Sequence, residues 1–116
     1  PAVDRWLADV DAYEGTVADR TDASAVTVTV GAAGNGGHFA FDPMAVKLSP
    51  GTTVTWEWTG EGGAHDVAFE DADLGTGEVV AEAGATYSHT FESTGVYRYA
   101  CRPHQALGQK GAIVVE

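Results

Sequence analysis

The sequence predicts an all-β sandwich of seven or eight short strands behind one short helix. Three observations carry this reading. Five stretches alternate apolar and polar residues with a period of two, glycine and proline clusters separate them, and only the first dozen residues carry a helical period.

Val3, Trp6, Leu7 and Val10 fall at i, i+3, i+4 and i+7. That spacing predicts an amphipathic helix over about residues 2–12, inside a leading segment 1–15 closed by Gly15. The period then changes. Val26, Val28 and Val30 alternate with threonines, Val46 and Leu48 flank Lys47, and Val54, Trp56 and Trp58 alternate with Thr55 and Glu57. Later, Tyr87, His89 and Phe91 form one alternating set, and Tyr97, Tyr99 and Cys101 another. The chain ends in the apolar run Ala112-Ile113-Val114-Val115. Turn signals lie between the runs: Gly31 to Gly37, Pro50-Gly51, Gly60 to Gly63, Gly75 to Gly77, Gly84 and Gly95. The alternation gives each strand a wet and a dry face, the pattern of antiparallel sheets. No repeat or linker interrupts the 116 residues, so 1–116 reads as one domain.

Composition narrows the function. Six Lys+Arg against 17 Asp+Glu give a formal charge of -11, which excludes nucleic acid as a natural partner. The acids are scattered over the whole length. Steering of a basic partner is one reading. The scatter fits better with solubility in a salty medium, where the Debye length shrinks to about 3 Å at 1 M. No apolar run approaches the ~20 residues of a membrane span. The chain starts at Pro1 without an initiator Met or a signal peptide, so a processed or engineered start is expected. A single cysteine excludes an internal disulfide, a Cys-x-x-Cys redox pair and a four-cysteine zinc site.

The chemistry concentrates between Tyr97 and Gly111. A strand enters, a strand leaves, and the loop between them carries Cys101 and His104, stiffened by Pro103. His65 closes a glycine-rich loop 36 residues before Cys101. Loops of a sandwich gather at its ends, so His65, Cys101 and His104 could meet in space. One soft thiolate with two imidazoles suits copper, and a trigonal set with a weak axial fourth donor is an electron-transfer geometry. Such a set compromises between what Cu(I) and Cu(II) prefer.

Specific motifs then add up. Phe39-Ala-Phe-Asp-Pro43, Gly63-Ala-His65-Asp-Val67, Gly95-Val-Tyr97 and the Cys101-x-Pro-His104 loop running on to Gly111 occur together in one order. The chain resembles the cupredoxins, the small blue copper proteins, and within them the halocyanins of halophilic archaea, kin of plastocyanin. The likeness covers about residues 38–116, with a halocyanin look to 13–37.

The resemblance implies a Greek-key cupredoxin sandwich holding one copper ion that cycles between Cu(I) and Cu(II). It implies His65, Cys101 and His104 as ligands. The family's axial methionine falls five residues after the second histidine, where this chain has Gln109, whose amide oxygen can serve instead. Met44, the sole methionine, is placed in a core strand and is not expected to substitute. Asp66 stands where most relatives carry asparagine; its backbone N–H is expected to donate to the sulfur, whereas Pro103 has none to give. Asp66 and Arg102 each directly follow a ligand, so an ion pair between the two loops is expected. Ala100 replaces a tyrosine through which plant plastocyanins pass electrons, which leaves the outer edge of His104, framed by Phe39, Ala64, Pro103, Ala106 and Leu107. By the same resemblance the protein is a monomeric electron carrier, not an enzyme. It would meet transient redox partners of a respiratory chain at the outer face of the archaeal cell membrane, with a native membrane tether.

Two other readings stay open on the residues alone. A Cys–His nucleophile would make a hydrolase, though no residue that would orient the histidine is identifiable. A cysteine, two histidines and an oxygen donor would also bind zinc in a structural or storage role. His38 and His89 read as non-ligands, and the three tryptophans as packing residues.

Overall fold

The dry halves of the alternating runs face one another across a shared core. The structure, a computed structural model, describes residues 2–10, 13, 15–70 and 74–116. Nine strands occur among them: β1 (Ala18–Asp19), β2 (Ala25–Gly34), β3 (Gly37–Asp42), β4 (Ala45–Leu48), β5 (Thr52–Trp58), β6 (Ala68–Phe69), β7 (Thr86–Phe91), β8 (Gly95–Ala100) and β9 (Lys110–Val115). They form a five-stranded sheet in the order β1-β4-β9-β8-β6 and a four-stranded sheet in the order β3-β2-β5-β7. Val28, Val54, Trp56 and Phe91 from the second sheet pack against Val46, Leu48, Tyr99 and Ile113 from the first. The all-β sandwich is therefore as predicted. The strands exceed the predicted seven or eight because β1 and β6 have two residues each, too few to show a period.

Two expectations need correction. The sheets are mixed: β1–β4, β4–β9 and β2–β5 pair in parallel, while β2–β3, β5–β7, β6–β8 and β8–β9 are antiparallel. One-faced burial produces alternation whatever the strand direction, so the pattern could not distinguish them. The helix α1 spans only Ala2–Trp6, and Leu7–Asp9 continue as turns. The apolar face works as expected, since Val3, Leu7 and Val10 are buried with Ala45 and Ala112 in a second cluster outside the sandwich. Pro1, Asp11, Ala12 and Glu14 of the predicted 1–15 segment lie outside the described residues. This cover explains the unbroken apolar run in β9. Ile113 and Val115 face the main core, while Ala112 and Val114 lie under the N-terminal segment. Met44 belongs to the same outer cluster, half-buried in the bend before β4 and not in a core strand.

Glycine placement fixes two details. The β2–β3 turn is Asn35-Gly36, with φ of 57° and 88°. Positive φ at both central residues is the type I′ hairpin requirement, which asparagine and glycine meet most easily. Across the sheet, Tyr99 pairs with Gly111, and a Cβ built at Gly111 runs into the Cζ of the Tyr99 ring. Tyr99 is fully buried and has nowhere to move. Gly111→Ala is expected to destabilise by about 1–3 kcal/mol, the usual cost of overpacking. Thermal melting checks this; an unchanged Tm would mean the ring is not wedged.

Candidate metal centre

Three loops at one end of the sandwich supply the site: the β5–β6 loop with His65, the β8–β9 connection with Cys101, His104 and Gln109, and the β2–β3 hairpin beside them. Cys101 ends the β8 run with its side chain buried, as the parity with Tyr97 and Tyr99 predicts. It precedes a 3₁₀ helix, Arg102–Leu107, with Pro103 in its first turn, where a missing N–H costs nothing. Gly108 closes that helix, and the Cys101 N–H donates to the Gln109 carbonyl at 2.9 Å, folding the loop back on itself.

His65 is fully buried. Two backbone bonds to Val80 hold its main chain, and the Trp58 indole N–H donates to its carbonyl at 3.2 Å. Its Nε2 lies 2.7 Å from the Glu61 carbonyl. A carbonyl only accepts, so Nε2 carries the proton and Nδ1 keeps its lone pair. The close approach needs Gly62, with φ of 78°, because a Cβ there would strike the His38 carbonyl oxygen.

Nδ1 of His65 stands 3.2 Å from Nδ1 of His104 and 3.8 Å from Sγ of Cys101, and the sulfur is 3.4 Å from His104 Nδ1. The point equidistant from these three atoms lies about 2 Å from each, close to metal–nitrogen distances of about 2.0–2.1 Å. Gln109, also fully buried, places Oε1 2.9 Å from His65 Nδ1, while its Nε2 donates to the Ala40 carbonyl at 3.4 Å. Two imidazole nitrogens, an amide oxygen and a sulfur thus converge on one point. All four are metal-donor atoms, and a soft sulfur beside two imidazoles suits copper. These residues fit a metal ion, and His65, Cys101 and His104 could hold one together.

The electrostatics agree. Burial pushes the Cys101 thiol above its ordinary value, while the amide N–H groups of Asp66 and His104, both donating to the sulfur, work against that. Thiolate here calls for a neighbouring cation. The His104 N–H supplies the second sulfur donor that Pro103 cannot. Burial, and then His65 beside it, hold His104 below the usual histidine value, which keeps its ring neutral and its lone pair available.

The expected loop clamp is present. Asp66, with no exposed side chain, accepts 2.6 Å and 2.7 Å hydrogen bonds from Nε and the backbone N–H of Arg102. Arg102 stays 60% exposed, so the backbone bond under cover is the firmer half of the clamp. Around the half-buried His104, Phe39 packs its ring at 4.7 Å between centroids. Pro103, Ala106 and Leu107 are exposed on the same 3₁₀ helix, and Leu107 is one of three large apolar side chains left open among the described residues. Ala64 is half-buried next to His65.

His38 and His89 are not among the converging donor residues. His38 is exposed on β3 with Nδ1 3.2 Å from the Gly31 carbonyl, and His89 lies edge-on to Phe91. Trp56 and Trp58 are core, and Trp6 bonds the Gly111 carbonyl. Three carbonyl or amide partners escaped the sequence reading: Glu61, Ala40 and Asn35. Backbone carbonyls leave no mark in a sequence, but Asn35-Gly36 was a readable hairpin signal.

Comparison with known proteins places this centre. The family of copper binding proteins of the plastocyanin/azurin type matches residues 26–116. A halocyanin of Natronomonas pharaonis is 48% identical over 97% of this chain and 71% of its own. A plastocyanin of Scenedesmus fuscus is 34% identical over 78% of this chain and 99% of its own. Among solved structures, a methionine-to-glutamine variant of amicyanin in its Cu(I) form superposes with a TM-score of 0.63 at 28% identity, over 80% of this chain and 83% of that one. The matched residues include the loops that carry the converging donors, and the chain belongs to the plastocyanin/azurin family of copper-binding proteins, as a blue copper cupredoxin.

Proposed function

We propose that His65, Cys101 and His104 hold one copper ion, with Gln109 as axial donor, and that the chain carries single electrons between transient protein partners. The observation that supports this best is the convergence of four metal-donor atoms, two imidazole nitrogens, a sulfur and an amide oxygen, at one end of the sandwich. Copper, when bound, supplies the Cu(I)/Cu(II) one-electron couple. The protein supplies rigidity. Glu61 fixes the His65 ring, two amides hold the sulfur, and the Asp66–Arg102 clamp joins the two ligand loops. Held this way, the donors need little rearrangement between oxidation states.

His104 is the least buried of the donor residues, so its outer edge is where a partner gains access. Phe39, Ala64, Pro103, Ala106 and Leu107 offer an uncharged contact suited to a brief encounter. The whole chain, 1–116, acts as one domain and works as a monomer that performs no catalysis of its own. It serves a respiratory chain at the outer face of the archaeal membrane, tethered there by a segment outside this sequence; the likeness to halocyanin and the acidic surface support that placing. Among the described residues no helix is long and apolar enough to cross a membrane.

Adding one equivalent of Cu(II) is expected to give an intense thiolate-to-copper absorption and a reversible one-electron wave. A colourless protein whose thiol alkylates rapidly with copper present would point to a nucleophile instead. Leu107→Glu is expected to leave that absorption unchanged and slow electron self-exchange at least about tenfold, since about 1.4 kcal/mol of encounter energy suffices. Unchanged exchange would place the port elsewhere.

A further inference from the structure

The β2–β3 hairpin reaches the fourth donor at two points. At its tip, the Asn35 side-chain amide donates 2.8 Å to the Phe39 carbonyl and 3.2 Å to the Gly108 carbonyl, 73 residues away in sequence. Further along the same hairpin, the Ala40 carbonyl accepts from Gln109 Nε2. One rigid element thus grips the peptide that enters Gln109 and the far end of its side chain. Because Ala40 offers only an acceptor, it must meet the NH₂ side of the amide, which turns Oε1 inward. Asn35 uses both hydrogens of its amide to fix how far the hairpin stands from the ligand loop. Its left-handed backbone, φ 57°, is the conformation this hairpin turn requires. Phe39, tied by the first of these bonds, carries the ring that packs on His104.

We infer that Asn35 is a positioning residue for the axial donor: through the Gly108 carbonyl it sets where Gln109 Oε1 sits relative to the two histidines and the thiolate. This deepens, and rests on, the reading of Gln109 as a donor to copper.

The test is a double-mutant cycle on the copper-loaded protein, read by the ratio of the two thiolate absorption bands and by the Cu(I)/Cu(II) ratio at fixed solution potential. Asn35→Gly keeps the turn, since glycine accepts the same φ, and removes both bonds. Asn35→Asp keeps the shape and loses the donors; it is read at 1 M salt, where a charge is screened within about 3 Å. Both are expected to change the Cu(I)/Cu(II) ratio at least about threefold, about 28 mV at 59 mV per tenfold, together with the band ratio. In a Gln109→Val background the same changes should shrink below about 1.3-fold, because the element they aim is gone. Equal shifts in both backgrounds, or none in either, overturn the inference. Should Gln109→Val alone leave both readouts unmoved, the axial reading itself fails, which is a separate result. In the metal-free protein, the Gln109 side-chain amide resonances should move in Asn35→Gly; unmoved resonances count against the clamp.

Discussion

Cys101→Ser will abolish the thiolate absorption of the copper-loaded protein and weaken copper binding about a hundredfold or more. A serine hydroxyl in this buried pocket does not ionise near neutral pH, so the one anionic donor disappears. A structural four-donor metal site is worth about 10–16 kcal/mol, and an equal share of that is about 3 kcal/mol per donor, or about two powers of ten. The charge-transfer band requires sulfur and should vanish outright. The fold should survive. A serine oxygen is smaller than sulfur, so nothing is overpacked, and it can accept from the same Asp66 and His104 amides that donate to Cys101. Absorption spectra and copper titration by competition with a chelator check both parts, with circular dichroism as the folding control. An intense band persisting in the serine variant would show that the chromophore is not this thiolate.

The converging donor residues and the sandwich were legible because each leaves a mark on side-chain identity. Tyr97, Tyr99 and Cys101 share parity, and burying one implied burying the next. His65 and the Cys-x-Pro-His loop carried types and spacing that few other sites use. The Asp66–Arg102 clamp was legible too, since both follow ligands directly on loops that have to meet. What stayed hidden was main-chain chemistry. The Glu61 carbonyl that orients His65 and the Ala40 carbonyl that orients Gln109 could have belonged to any residue type. Parallel pairing was invisible because strand direction does not alter which side chains face the core. The helix was overextended because Val10 is buried as helical spacing requires, yet reaches the outer cluster from irregular chain just after the turns. Met44 was drawn into a core strand by its apolar neighbours, while Pro43 and a bend place it under the N-terminal cover.

Gln109→Met will raise the reduction potential by about 60–180 mV. An amide oxygen is a harder donor than a thioether, so it stabilises Cu(II) more than Cu(I) and holds the potential down. An axial difference of about 1.5–4 kcal/mol gives that range, at about 59 mV and 1.4 kcal/mol per tenfold change in a one-electron equilibrium. The geometry favours an engaged oxygen over one that swings away. Gln109 is fully buried, its Oε1 already stands among the other donors, and rotating the amide would set Oε1 against the Ala40 carbonyl. Colour should follow the potential. A bound Gln109 oxygen would compete with the Cys101 thiolate for the metal and weaken its bond to sulfur, which would add absorption in the shorter-wavelength thiolate band. The methionine variant should therefore be purer blue. Its stability without metal should fall by about 1 kcal/mol, since the Ala40 carbonyl loses its donor. Potentials of the two proteins measured side by side decide the matter: a methionine form equal to or below the glutamine form means that the amide oxygen does not act on the metal.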